Sequence, residues 1–277
     1  MMNGMEDRKD VYFGTSLDNV LYQLKNRSNL RVCGGCTFLK DLPRIALITR
    51  NIADLTHIEK RERYLELGAG LTLSAIMGLG ERHIPPVLYQ ALHSVATPII
   101  RNMATLGGNL CMEQVRGTLF APLLALDSLL EFRTSSDVIS IPMGQFTAVP
   151  RASILTKVRI PLEDWDVSLF RRVGRSLWWD GNCASYAFLA GIQKETLVSL
   201  RIAFCGALCL RSRELEDRLI GTKLPLSPKE IADVIGAAGE YFDRQRDVCA
   251  VSAEAVDLPL LRARFLGLLQ SSLDYLT

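Results

Sequence analysis

Ala104-Thr105-Leu106-Gly107-Gly108-Asn109-Leu110 sets two adjacent glycines between a threonine and an asparagine. Without a Cβ, such a pair lets backbone N–H groups approach a bound anion and admits φ > 0 conformations closed to other residues. A lone Gly-Gly between apolar runs also reads as an ordinary tight turn. A second double-glycine loop lies upstream, Val32-Cys33-Gly34-Gly35-Cys36-Thr37-Phe38-Leu39, again at the end of an apolar stretch. Two such loops suit the two phosphates of a diphosphate.

The chain of 277 residues is 48% hydrophobic, enough to bury a sizeable core, and its length predicts two domains. With 32 Lys+Arg against 30 Asp+Glu the net charge is +2, which points away from nucleic acid and anionic membrane surfaces. The longest apolar runs, such as 120–126, fall far short of the roughly 20 residues of a membrane span. Met-Met-Asn-Gly-Met-Glu-Asp-Arg-Lys-Asp at the start has no apolar core, so no secretory signal is expected and the cytoplasm is the expected location. Seven cysteines, an odd number, fit a reducing compartment better than a disulfide framework. Cys33 and Cys36 have C-x-x-C spacing, open to a redox pair or half a metal site, but no further ligands sit at matching spacing, so loop or packing thiols are expected. Cys205 and Cys209, four apart in an apolar segment, read the same way. His57, His83 and His93 have no metal-ligand spacing, and no Ser/His/Asp constellation or Gly-x-Ser-x-Gly elbow is apparent.

Val11-Tyr12-Phe13-Gly14 reads as a strand, and Thr15-Ser16-Leu17-Asp18 as the N-cap of a helix with Leu17, Val20, Leu21 and Leu24 at helical spacing. Residues 30–33 then form a strand into the first loop, and 45–49 another, an order typical of a small α/β subdomain. The second subdomain begins near Asn51. Residues 64–68 form a strand ending at Gly68-Ala69-Gly70, which lacks the third glycine and later acid of a dinucleotide fingerprint and is a strand-to-helix turn. Helices are expected at 87–95 and 119–126, strands at 128–133 and 139–142, and a half-buried strand closing the domain at 154–161. From about Leu162 a separate unit is expected. It holds a strand at 168–173, a helix or strand at 184–190, a strand over 200–210, a helix at 231–238 capped by Ser227-Pro228, and a final helix over 260–275.

The two loops together resemble those of the FAD-binding subunit or domain of the molybdenum-containing hydroxylases, the xanthine dehydrogenase and carbon monoxide dehydrogenase family. Thr105-Leu106-Gly107-Gly108-Asn109 matches that family's Thr-Ile-Gly-Gly-Asn loop, with Arg101-Asn102 before it and Pro122-Leu123-Leu124-Ala125-Leu126-Asp127 after it. The resemblance implies an α+β fold. A PCMH-type FAD-binding domain over 1–162, with subdomains at about 1–50 and 51–162, precedes a C-terminal α+β domain over 163–277 with a small antiparallel sheet and helices. It also implies an FAD-dependent oxidoreductase subunit, active only with an iron–sulfur subunit and a molybdopterin-binding subunit, with NAD one candidate acceptor. Flavin chemistry asks position and electrostatics of the protein more than reacting side chains, so no catalytic side chain is expected.

Carried over by motif, Val32, Cys33, Gly34, Gly35, Cys36, Thr37, Phe38 and Leu39, with Thr105, Leu106, Gly107, Gly108 and Asn109, would surround the FAD pyrophosphate. Their backbone amides and the Thr37 and Thr105 hydroxyls would hold it. Ile154 would pass its backbone beside the flavin ring, and Phe170-Arg171 would place the Arg171 cation near it, unless Arg171 is a solvated strand charge. Two departures stand out. Relatives carry an FAD-contacting aspartate where this chain has Thr118, in Met112-Glu113-Gln114-Val115-Arg116-Gly117-Thr118, and the first loop carries cysteines where small or hydroxyl residues are commoner. They raise an alternative, a structural or assembly subunit that keeps the fold without flavin.

Overall fold

The computed structural model describes residues 9–113, 115–175, 179–248 and 256–277, and arranges them as three sheets with helices between and around them. The first sheet is parallel. Strands β1 (Asp10–Phe13), β2 (Arg31–Cys33) and β3 (Ile45–Ile48) lie in the order β1-β3-β2, and helix α1 (Leu17–Asn26) connects β1 to β2. Ser16 caps α1, its Oγ accepting from the Asn19 N–H at 3.1 Å. Leu17, Val20, Leu21 and Leu24, spaced for one helical face, are buried against Leu47, Ile52, Leu55 and Ile154.

The second sheet is antiparallel, with β4 (Ile58–Lys60), β5 (Tyr64–Gly68), β6 (Leu129–Arg133), β7 (Val138–Pro142) and β8 (Ile154–Pro161) in the order β4-β5-β8-β6-β7. Among the described residues, five α-helices lie between β5 and β6: α2 (Leu73–Met77), α3 (Pro86–Ser94), α4 (Pro98–Arg101), α5 (Leu106–Leu110) and α6 (Phe120–Ala125). One face of the sheet packs on these helices. The other carries an ion-pair cluster in which buried Glu66 meets Lys157 at 3.0 Å and Arg159 at 2.6 Å. Strand β8 differs from the half-buried closing strand read from its alternation. It sits in the middle of the sheet, and Ile154, Leu155 and Thr156 are all buried, because Ile154 packs into the first subdomain's core and Leu155 into the second's.

The third sheet is antiparallel and ordered β12-β11-β10-β9, from β9 (Val167–Val173), β10 (Ala184–Gln193), β11 (Thr196–Cys205) and β12 (Cys209–Leu210). Helices α7 (Arg213–Asp217), α8 (Pro228–Val248) and α9 (Leu258–Leu273) follow. Residues 184–190, ambiguous between helix and strand in the sequence, form a strand buried on both faces. Tyr186, Phe188 and Ala190 pack beneath Phe242, Phe265 and Leu269 of the helices, while Ala187 and Leu189 join the core of the second sheet's helices. Burial on both sides removes the period-two signal, leaving a continuous apolar run. The strand expected over 200–210 is instead two, folded back at Gly206, where a Cβ would strike the Cys183 carbonyl. The N-cap read at the start of α8 forms, the Glu230 N–H donating to Ser227 Oγ at 3.3 Å, and the structure adds the reciprocal bond of a capping box, the Ser227 N–H donating to Glu230 Oε2 at 2.8 Å. The helix it starts runs on to Val248, well past the expected end at 238.

Candidate functional site

Phe13, Cys33 and Ile48 stand level at the C-terminal ends of the three parallel strands, the edge at which open parallel sheets present loops to ligands. The first glycine loop leaves the sheet there and meets the second head-on. A Cβ at Gly34 would collide with Thr105 Oγ1, and one at Gly35 with the Met103 carbonyl. Backbone therefore touches backbone across the two subdomains, and no side chain fits at either glycine. The Arg31 and Glu113 side chains form a further ion pair across the same junction.

The first loop keeps its donors. Among the described residues nothing accepts from the amides of Gly34, Gly35, Cys36 or Thr37, so these consecutive N–H groups are left for solvent or a bound anion. Cys36 holds φ 55°, the left-handed conformation that turns the loop. Cys33 is buried, with its thiol pushed up to about 11, mainly by that burial, which makes it a packing thiol and not a nucleophile at neutral pH. Val32, Phe38 and Leu39 are exposed around the loop.

The second loop spends its donors inside the fold. It is not an open loop with left-handed glycines but the short helix α5, capped by Thr105, and neither Gly107 nor Gly108 has positive φ. The Leu106 N–H donates to the Leu71 carbonyl at 2.9 Å and the Gly107 N–H to the Ala69 carbonyl at 2.8 Å. The Gly108 N–H donates to Thr105 Oγ1 and the Asn109 N–H to the Thr105 carbonyl, each at 3.0 Å. At Gly107 a Cβ would press on Ala69 at 3.1 Å, a tight contact that Ala69 would have to relax to accept. At Gly108 a Cβ would meet only Thr105 Oγ1, at 2.9 Å, and is otherwise open. Asn109 faces inward, accepting at Oδ1 from the Leu119 N–H at 2.9 Å, and Gly117 abuts it so closely that a Cβ would lie 2.6 Å from that oxygen. Thr118, next in the chain, is buried.

The remaining expected residues do not all converge. The Ile154 side chain faces the first subdomain's core. Arg171 pairs across the sheet with Tyr186, whose ring lies beneath α8 and α9, so Arg171 points to that side, exposed, with Nη1 donating to the Phe170 carbonyl at 2.9 Å. Among the described residues no hydrogen bond or ion pair joins it to either loop. Arg172 pairs with Ser185 on the opposite face, toward the second subdomain, with its guanidinium 5.1 Å from the centre of the Trp179 ring. The Trp179 Nε1–H donates at 3.0 Å to the carbonyl of Arg116, the residue before Gly117. Sequence reasoning missed the packing roles of Ala69 and Gly117 around the second loop. Small residues at Gly68-Ala69-Gly70 and the glycine at 117 were the available signals.

Residues 7–163 match the family described as the FAD binding domain in molybdopterin dehydrogenase. The chain belongs to this family. FAD is accordingly its cofactor, and the family is one of oxidoreductases. The nicotine 6-hydroxylase medium subunit of Paenarthrobacter nicotinovorans is 28% identical over 208 residues, 70% of this chain and 71% of that one. The xanthine dehydrogenase FAD-binding subunit of Escherichia coli O157:H7 is 33% identical over 103 residues, about a third of each chain (36% and 35%). The fold is that of a chain in the crystal structure of the Cu,Mo-CO dehydrogenase, with a TM-score of 0.80, 18% identity and 97% of both chains covered. The acceptor-free amides of the first loop, at a sheet edge and against a second glycine loop, fit a diphosphate and so fit FAD. No helix among the described residues is long and apolar enough to cross a membrane.

Proposed function

We propose that the chain is the FAD-binding electron-transfer subunit of a multi-subunit, molybdenum-dependent oxidoreductase of the xanthine dehydrogenase type. One observation carries this reading. Four amides without acceptors among the described residues, from Gly34, Gly35, Cys36 and Thr37, sit where two glycine loops from separate subdomains touch. These amides would hold the diphosphate. The Thr105 hydroxyl, whose oxygen accepts from Gly108, retains its proton to donate to the same anion. Gly108 leaves its outer side open for close approach. Arg172, not Arg171, would supply positive charge on the face turned toward the FAD-binding subdomains. When bound, FAD would supply the redox chemistry, and the subunit would stand between iron–sulfur centres on one partner subunit, themselves served by a molybdopterin-binding subunit, and an acceptor for which NAD is a candidate. The names of the two relatives, a medium subunit and an FAD-binding subunit, support a role within such an assembly.

The uncharged Thr118 motivates the alternative of a flavin-free assembly subunit, and one titration separates the two. Purified chain, stripped of flavin and titrated with FAD, is expected to take up one equivalent and show the flavin absorption band. Protein that stays colourless with saturating FAD, yet still forms a stable complex with the iron–sulfur and molybdopterin subunits, would establish the alternative.

A further inference from the structure

Strands β11 and β12 are joined by the turn Gly206-Ala207-Leu208, which sets Cys205 directly opposite Cys209. Their sulfurs lie 2.8 Å apart. Directly opposed residues of an antiparallel pair have Cα separations of about 4.5–5.5 Å, within the roughly 4.4–6.8 Å that a disulfide spans. We propose that Cys205 and Cys209 form a reversible oxidation site, closing to a cross-strand disulfide when a low-molecular-weight disulfide such as oxidised glutathione is the oxidant.

The surroundings hold the pair in place and set the order of events. A Cβ at Gly206 would strike the Cys183 carbonyl, and the Gly206 N–H donates to the Leu208 carbonyl at 2.8 Å, so the turn is pinned and little rearrangement separates thiols from disulfide. Cys205 is buried and Cys209 is partly exposed. The Cys209 thiolate therefore attacks first, forming a mixed disulfide with one half of the oxidant and releasing the other half as a thiol. Cys205 then loses its proton and attacks the Cys209 sulfur, displacing the second small thiol. One protein S–S bond forms, one small-molecule S–S bond breaks, and two electrons and two protons pass to the small thiols. Burial holds the Cys205 thiol well above its ordinary range, so the closing step quickens as pH rises.

The site backs onto the cofactor-binding subdomain. The Gly206 carbonyl accepts from the Arg116 N–H at 2.8 Å, the Arg116 carbonyl accepts from Trp179, and Gly117 abuts Asn109 of the second glycine loop. A closed disulfide staples the turn that supports this segment. The proposal stands independently of whether FAD sits at the loops.

The test uses the folded wild-type chain, with one variant as a control. Residues 202–211, between Arg201 and Arg211, form one tryptic peptide holding both cysteines. After treatment with oxidised glutathione, denaturation and alkylation, that peptide is expected to be lighter by two hydrogens and to carry no alkyl group. A reductant applied before denaturation restores two alkylated cysteines. Cys205→Ser, under the same oxidation, is expected to stop at the mixed disulfide on Cys209. Two alkylated cysteines in the oxidised wild-type peptide, or a disulfide from either residue to a different peptide, would overturn the proposal.

Discussion

The two glycine loops look alike in sequence and do opposite things with their backbones. In the first, the glycines permit contact with the other subdomain and the amides meet no acceptor among the described residues. In the second, the amides of residues 106–109 are all bonded within the fold, to Leu71, Ala69 and Thr105. One loop is a donor array and the other is the rigid wall it leans on. A double glycine thus marks where backbone must come close to something, and the partner differs: the facing chain at Gly34, Gly35 and Gly107, open space at Gly108.

The largest expected effect is at the point where the loops touch. Gly35→Val drives a side chain into the Met103 carbonyl, an overpacking of about 1–3 kcal/mol that forces the loops apart. A fall in melting temperature together with at least a ~100-fold loss of FAD affinity, about 2.8 kcal/mol, is expected in calorimetric titration. Gly108→Val is the contrasting case. With no positive φ to strain and only the Thr105 hydroxyl, 2.9 Å from the new Cβ, obliged to shift, the fold should survive with its circular dichroism unchanged while FAD binding is lost. Equal losses of melting temperature in the two variants would erase the distinction drawn between wall and seam.

Thr105→Val is expected to come next. It keeps the shape but removes the oxygen that caps the Gly108 N–H, costing about 0.5–2 kcal/mol of stability in chemical denaturation. FAD affinity should also fall, by about tenfold if one hydroxyl hydrogen bond to the anion is lost, near 1.4 kcal/mol. An unchanged affinity alongside the stability loss would confine Thr105 to capping. The smallest effect is expected at Cys36→Gly. Relief of the left-handed strain at φ 55°, about 1–2 kcal/mol, is largely offset by the greater freedom glycine gives the unfolded chain. Because the amide is kept, FAD affinity should be unchanged. A clear loss would show that the Cys36 side chain, and not only the backbone, takes part in binding.

Local signals were enough for much of this protein. Ser16 and Ser227 announce their helices because a cap is made within one turn, and the apolar face of α1 is legible because that helix is buried on one side only. The paired glycine loops and their flanks, in the same way, were enough to point to a diphosphate and a family. Tertiary structure decided the rest, wherever an atom's partner comes from far along the chain. Whether an amide is free for a ligand depends on which carbonyl lies opposite, and Ala69 and Leu71 lie more than thirty residues before the amides they receive. Which arginine of Arg171-Arg172 faces the second sheet's helices depends on strand register, where a step of one residue reverses the face. The identity of β10 as a strand depends on being covered from both sides, by α8 and α9 on one face and the second subdomain on the other, and a segment buried all round carries no period to read.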